Sequence, residues 1–222
     1  MKTVAIFAVH PDDETIGAGA TLLKHKSNGD RVFWIIMTKM DEVVGFSKER
    51  IDSRQREIKK VEGLYGFDGV YQLPFITSRM DTYSMGEIVS EVSKIVNIVK
   101  PEVVYIPFKS DVHTDHQVSF TALISLTKQF RYPYVKKILS MEVVSETNFG
   151  HLDSRDAFWP NYYVDTSAHF QKKMEILRVY SSEIQEHPYS RSFKNIEALS
   201  ILRGSEINVQ HAEAFQLIKE IE

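Results

Sequence analysis

Through the first two thirds of the chain, short apolar runs rich in β-branched and aromatic residues alternate with stretches whose apolar positions recur at helical spacing. The runs at 3–9, 31–38, 69–73, 102–107 and 137–144 read as strands, and the stretches at 15–27, 48–63 and 85–99 as helices. This βαβα rhythm is that of a parallel sheet. Ser84 with Glu87, and Thr114 with Gln117, each have the spacing of a capping box that satisfies orphan N–H groups at a helix start. Pro101 excludes Lys100 from the helical region, so the helix before it ends there. Residues 145–161 read as a long loop carrying Phe158 and Trp159, and a loop of that length in a compact domain is usually functional. The remainder predicts a short strand at 162–164 and helices at 168–180, 192–202 and 209–221. No internal repeat or interdomain linker interrupts the pattern.

Charge and composition narrow the function classes. The 222 residues carry 27 Lys+Arg against 30 Asp+Glu, a net charge of −3, with both signs interspersed. No basic stripe suits nucleic acid and no polybasic segment suits an anionic membrane. The absence of cysteine excludes disulfides, thiolate metal sites and cysteine nucleophiles, so any metal is held by His, Asp or Glu. A reducing, cytoplasmic setting fits. The longest apolar runs, at 4–9 and 32–37, fall far below the ~18 residues of a membrane span, and neither membrane insertion nor export is expected.

In open parallel sheets, ligands collect beyond the carboxyl ends of the strands. Two segments stand there: His10-Pro11-Asp12-Asp13-Glu14 after the first strand, and His113-Thr114-Asp115-His116 past the strand at 102–107. Taken singly, Asp13 is explained as a helix cap and a histidine near a helix start as a solvated polar residue. Two His/Asp clusters at the ends of two strands in a cysteine-free chain are instead what a two-histidine, one-carboxylate catalytic metal site requires. Adjacent side chains in a turn point in different directions, so Asp12 and Asp13 have different jobs. One binds the metal and the other lies beside it as a general base; residue type alone does not say which. Three protein ligands leave a position open, where zinc lowers the pKa of water to about 7. Glu14 is expected to complement the helix dipole.

At these residues the sequence strongly resembles the LmbE-like, or PIG-L, family of metal-dependent N-acetylglucosaminyl deacetylases, whose signatures are A-H-P-D-D-E and a later H-x-D-H. Here they read Val9-His10-Pro11-Asp12-Asp13-Glu14 and His113-Thr114-Asp115-His116. Arg54-Gln55-Arg56-Glu57 resembles the family's R-x-x-E helix, and His211-Ala212-Glu213-Ala214-Phe215 its C-terminal A-E-A-F. Tyr180-Ser181-Ser182-Glu183, with Arg191-Ser192 and Arg203-Gly204, looks like members from surface-polysaccharide or amino-sugar pathways. The resemblance implies that His10, Asp13 and His116 ligate the metal, zinc or alternatively ferrous iron or another divalent ion. It implies that Asp12 is the general base and that His113 stabilises the oxyanion or protonates the leaving amine. Asp115 would then fix a histidine tautomer. Asp111 stands where some members carry a tyrosine, so an oxyanion contact from that position is not expected.

Ile51, Arg54, Ile58, Val61 and Tyr65 share one helical stripe, which sets a guanidinium on an otherwise inward face. Such an arginine either snorkels or pairs with Asp52 or Glu57, or, as the resemblance implies, holds a sugar hydroxyl. Asp81 is a second candidate for sugar hydroxyls, and Trp159, beside Phe158, a platform for a sugar face. His25, His169 and His187 read as surface or packing histidines, His151 as a loop residue able to line the pocket, and His211 as near the site only if a C-terminal helix packs over it. Ile88, Val92, Ile95 and Val99 read as core.

The resulting expectation is a single Rossmann-like α/β domain over residues 1–222, with a mostly parallel sheet flanked by helices on both faces. It would remove the N-acetyl group from a small-molecule amino-sugar conjugate, giving acetate and a free amine. Homo-oligomers are common among such enzymes, although no sequence feature demonstrates an interface. Two other classes stay open. A metal-dependent phosphoesterase lacks a Walker-type loop or an arginine cluster, and a non-catalytic sugar-binding module would have no use for Asp12 and His113. No GxGxxG follows the first strand, so a nicotinamide cofactor is not expected.

Overall fold

In the computed structural model, which describes residues 1–150 and 155–222, β1 (Thr3–Ala8) is apolar on both faces because it runs through the middle of the sheet. Val4, Ile6 and Ala8 enter one core cluster and Ala5 and Phe7 the other. β2 (Arg31–Lys39) divides likewise, with Trp34 and Ile36 on one face and Phe33, Ile35 and Met37 on the other. Strands buried on both faces read as unbroken hydrophobic runs, as these two do. β3 (Gly69–Ile76), β4 (Val103–Ile106) and β5 (Lys137–Met141) extend the parallel sheet.

Between them lie α1 (Asp13–Ser27), α2 (Lys48–Tyr65), α3 (Met85–Val99) and α4 (Thr114–Leu123). The Ser84–Glu87 capping box forms in both directions at the start of α3, and Lys100 closes that helix in the left-handed region ahead of Pro101. The expected Thr114 box does not form. The cap of α4 is His113, whose Nδ1 accepts the Asp115 N–H, so a site histidine has taken the capping position.

After β6 (Tyr162–Asp165) come α5 (Phe170–Leu177), α6 (Phe193–Ser205, capped by Ser192) and β7 (Ala212–Glu220). The helix expected at 209–221 is therefore corrected to a strand. It inserts between β5 and β6, antiparallel to both, in a seven-stranded sheet of order β3-β2-β1-β4-β5-β7-β6. Pairing on both edges satisfies its backbone, and period-two burial replaces the helical spacing. Phe215 and Leu217 pack on one face and Ile218 on the other, so tertiary context overrides a weak local preference. The strand order reverses between β1 and β4, and the crevice outside their carboxyl ends is the expected ligand position.

β7 also accounts for the A-E-A-F stretch. Glu213 Oε1 and Oε2 accept the N–H groups of Ala20 and Thr21, at 3.0 and 2.8 Å, in the middle of α1. Lys173 Nζ bonds Glu213 at 2.7 Å and donates to the Ile16 carbonyl, the acceptor that the Ala20 amide would otherwise use. The buried pair thus stitches α1 to α5 and β7. Removing one partner of a buried ion pair strands the other charge, so Lys173→Met is expected to cost about 3–5 kcal/mol in chemical denaturation. A loss below about 1 kcal/mol would mean that the pair does not hold α1.

Candidate metal centre and active site

The turn from β1 into α1 is built to expose two carboxylates at different angles. Asp12 has φ 141° and ψ −29°, a conformation that a residue with a side chain rarely adopts and that persists only where its surroundings over-determine it. Those surroundings are explicit. The Asp12 N–H donates to Glu14 Oε2 at 3.0 Å, and Glu14 Oε1 accepts from the Thr15 and Tyr180 hydroxyls at 2.6 and 2.8 Å. Glu14 is completely buried, with its pKa pushed by burial up to about 7. From the first turn of α1, where the sequence suggested only a complement to the helix dipole, it also anchors the turn through these hydrogen bonds. Arg54 donates to the Pro11 carbonyl at 2.8 Å and braces the same turn from α2.

The turn brings Asp13 against the start of α4. His10, Asp13 and His116 offer ligand atoms within 4.8 Å of one another, while His10, His113 and Asp115 form a second such group. Hydrogen bonding distinguishes the two. Asp115 is committed to structure: it accepts the Ser78 and Met80 N–H groups at 2.6 and 3.1 Å and contacts His10 Nε2 at 3.1 Å. His113 Nδ1 is committed to its cap. In the first group, Asp13 Oδ1 and His116 Nε2 are buried without a hydrogen-bond partner among the described residues. His116 Nε2 lies 3.3 Å from Asp13 Oδ2 without hydrogen-bond geometry, while His116 Nδ1 bonds Asp111 at 2.8 Å. Orphaned buried polar atoms are costly, and a divalent cation held by His10, Asp13 and His116 would satisfy them.

The local field agrees. Burial would depress the His116 pKa, yet Asp13 and Asp111 raise it well above the usual imidazole value. Burial would raise Asp13, yet His116 and His10 hold it well below the usual carboxylate range. Positive charge is favoured at this point, and carboxylates on the outer nitrogens of both histidines are the orienting partners of metal-ligating imidazoles. Asp115 is placed for that part against His10. Asp111, completely buried and accepting also from Thr147 Oγ1 and the Phe108 N–H, is placed for it against His116. The sequence reading missed this role of Asp111; its position five residues before His116 was the available signal.

Asp12 stands apart from this group. Burial pushes its pKa up to about 7 against the pull of Arg191, whose Nη1 donates to Asp12 Oδ2 at 2.9 Å. Asp12 Oδ1 has no hydrogen-bond partner among the described residues. Arg191 also bonds Glu146 at 2.6 Å; the sequence offered it only as part of the resemblance, with no role in the site. His113 is driven by burial and by neighbouring His10 down to about 4, so it is a neutral imidazole near pH 7. Its Nδ1 accepts a backbone N–H, which places the ring proton on Nε2.

Asp12, His10 and His113 line a cavity of about 240 Å³ together with Thr38, Gln72, Arg54 and Arg191. Arg54 belongs to its wall, with donors turned to Pro11 and Glu183. Two expected substrate contacts are not brought there. Asp81 is exposed on the short turn Met80–Thr82, whose backbone serves Asp115, and Trp159 is 64% exposed beyond the wall, while its neighbour Phe158 packs edge-on against Phe108. His25 packs between Asp30 and Tyr105, and His211 stacks on Phe170. His151 lies outside the described residues.

Residues 5–127 match the profile of the family described as PIG-L, GlcNAc-PI de-N-acetylase. Diacetylchitobiose deacetylase from Thermococcus kodakarensis is 21% identical over 236 residues, covering 98% of this chain and 84% of that protein. The solved N,N'-diacetylchitobiose deacetylase from Pyrococcus horikoshii, in complex with an inhibitor, superposes with a TM-score of 0.78 at 22% identity, over 98% of this chain and 84% of that one. GalB from Pseudomonas putida KT2440, a 4-carboxy-2-hydroxymuconate hydratase, superposes with a TM-score of 0.73 at 14% identity over 100% and 98% of the two chains. The fold therefore does not by itself fix the reaction.

Proposed function

Because the chain belongs to the PIG-L family, we propose that it is a metal-dependent hydrolase that removes the N-acetyl group from an amino-sugar conjugate, giving acetate and a free amine. The observation that carries this reading is the pair of buried, unpartnered ligand atoms on Asp13 and His116, one residue away from a carboxylate with a raised pKa that lines a sugar-sized cavity. His10, Asp13 and His116 would hold the metal. Zinc is the first assignment, and ferrous iron suits the same donors. A bound divalent ion supplies Lewis acidity toward the amide carbonyl and lowers the pKa of water.

The chain's own groups do the rest. Asp12, held near neutrality in its titration, takes a proton as the water oxygen bonds to the carbonyl carbon. The His113 Nε2–H donates to the carbonyl oxygen as negative charge develops there. A neutral imidazole is a poor acid, so the proton returns from Asp12 to the amide nitrogen as the C–N bond breaks. Arg191 keeps the Asp12 carboxyl in place. Arg54 shapes the wall against which the sugar rests. No helix among the described residues is long and apolar enough to cross a membrane; we place the protein in the cytoplasm, acting on a small molecule.

Metal-loaded protein incubated with N-acetylated amino sugars is expected to release acetate and primary amine in equal amounts, followed by proton NMR and an amine-reactive dye. Phosphate released from a nucleotide sugar with its amide intact would instead identify a phosphoesterase. His113→Asn keeps an acceptor for the helix cap but lacks the Nε2–H. It is expected to lower kcat roughly 10²–10³-fold with little change in KM. An equal kcat would remove His113 from the oxyanion site.

A further inference from the structure

One wall of the active-site cavity is cationic in composition: Arg50, Arg54 and Arg191 all line it. Such a set would ordinarily mark a site for a phosphate or carboxylate. Here the position between Arg50 and Arg54 is already occupied by the chain. Glu183, from the turn after α5, places Oε1 2.6 Å from Arg50 Nη2 and in a short contact with Arg54 Nη2, and Ser182 Oγ donates to the same oxygen at 3.2 Å. The other oxygen of Glu183 faces Arg191 Nη1 at 3.9 Å. Glu57 lies 3.7 Å from Arg50 Nη1 and 3.3 Å from Arg54 Nε. Glu183 itself lines the cavity. It is thus a tethered anion seated in an arginine fork that opens on the cavity.

We propose that Glu183 is a specificity-determining residue that fills an anion site in the cavity wall and so restricts the enzyme to amino sugars without an acidic group on the side facing Arg50 and Arg54. A tethered carboxylate acts at an effective concentration of about millimolar or higher, which a free acidic substrate must exceed before it can displace it. An acidic substrate that leaves Glu183 in place brings like charges together in a partly dry site. A neutral sugar meets neither obstacle, and its hydroxyls find both donors and acceptors along the wall. The inference deepens the deacetylase reading and rests on it for the identity of the substrate.

Two measurements test it. In the metal-loaded wild type, kcat/KM for N-acetylglucosamine is expected to exceed that for its 6-phosphate or 1-phosphate by roughly tenfold or more, and Glu183→Gln is expected to shrink that ratio by a similar factor, the scale of one charge-assisted hydrogen bond. Separately, titration calorimetry with inorganic phosphate is expected to show binding to Glu183→Gln roughly tenfold tighter than to wild type, with the gain lost in Glu183→Gln/Arg50→Gln. Equal turnover of neutral and phosphorylated sugars by the wild type would overturn the proposal, as would equal phosphate affinity in wild type and Glu183→Gln. If neither protein hydrolyses any N-acetyl sugar, the deacetylase reading fails, and the phosphate titration still decides whether Glu183 fills an anion site.

Discussion

Asp13→Ala is expected to purify without a tightly bound divalent metal and to show no measurable deacetylation, while wild type treated identically retains about one metal per chain. Asp13 is the one carboxylate in the proposed ligand set, and its Oδ2 also accepts the His10 backbone N–H at 2.8 Å. Removing it takes away a ligand and the negative charge that balances His116. Elemental analysis of both proteins, with circular dichroism to verify the fold, checks this. Equal metal content would move the centre to His10, His113 and Asp115, the other group within ligand distance. The fold should survive, because Asp13 begins α1 rather than filling the core and α1 is held further along by Glu213.

The second large effect separates the carboxylate beside it. Asp12→Asn is nearly isosteric, keeps an oxygen for Arg191 and leaves all three proposed ligands in place. It is expected to bind metal as wild type does and to lose about 10²–10⁴-fold in kcat, the range for deleting a general base. Because Asp12 both accepts and returns the proton in this scheme, KM should change little. The neutral amide also leaves Arg191 with Glu146 as its close ionic partner. Parallel metal analysis and steady-state kinetics distinguish the two aspartates: one variant loses metal and rate together, the other rate alone. A variant with near wild-type turnover would take Asp12 out of the mechanism.

What could be read from the sequence was what the chain keeps local. His10 through Asp13, and His113 through His116, each sit within one turn after a strand, and a parallel sheet sends both turns to the same edge. The alternating strands and helices were legible for the same reason. The residues that complete the site come from far along the chain: Arg191 is 179 positions from Asp12, and Glu183 is 129 from Arg54. No periodicity announces such partners. Arg54 showed itself by standing on an apolar stripe, and of the partners the sequence offered, Glu57 is one the structure keeps, at 3.3 Å. Glu14 read as a carboxylate complementing the dipole of a first helical turn because a donor that holds it, the Tyr180 hydroxyl, lies beyond any local window. Residues 209–221 carried apolar positions at helical spacing, and only the gap between β5 and β6 makes part of that segment a strand.

The most direct test of the account is a crystal of the zinc-loaded protein measured at the zinc absorption edge. The account predicts one anomalous peak about 2.0–2.2 Å from ligand atoms of His10, Asp13 and His116, with Asp12 beside it and not bound to it. A peak coordinated by His113 and Asp115 instead, or none at this edge of the sheet, would contradict it.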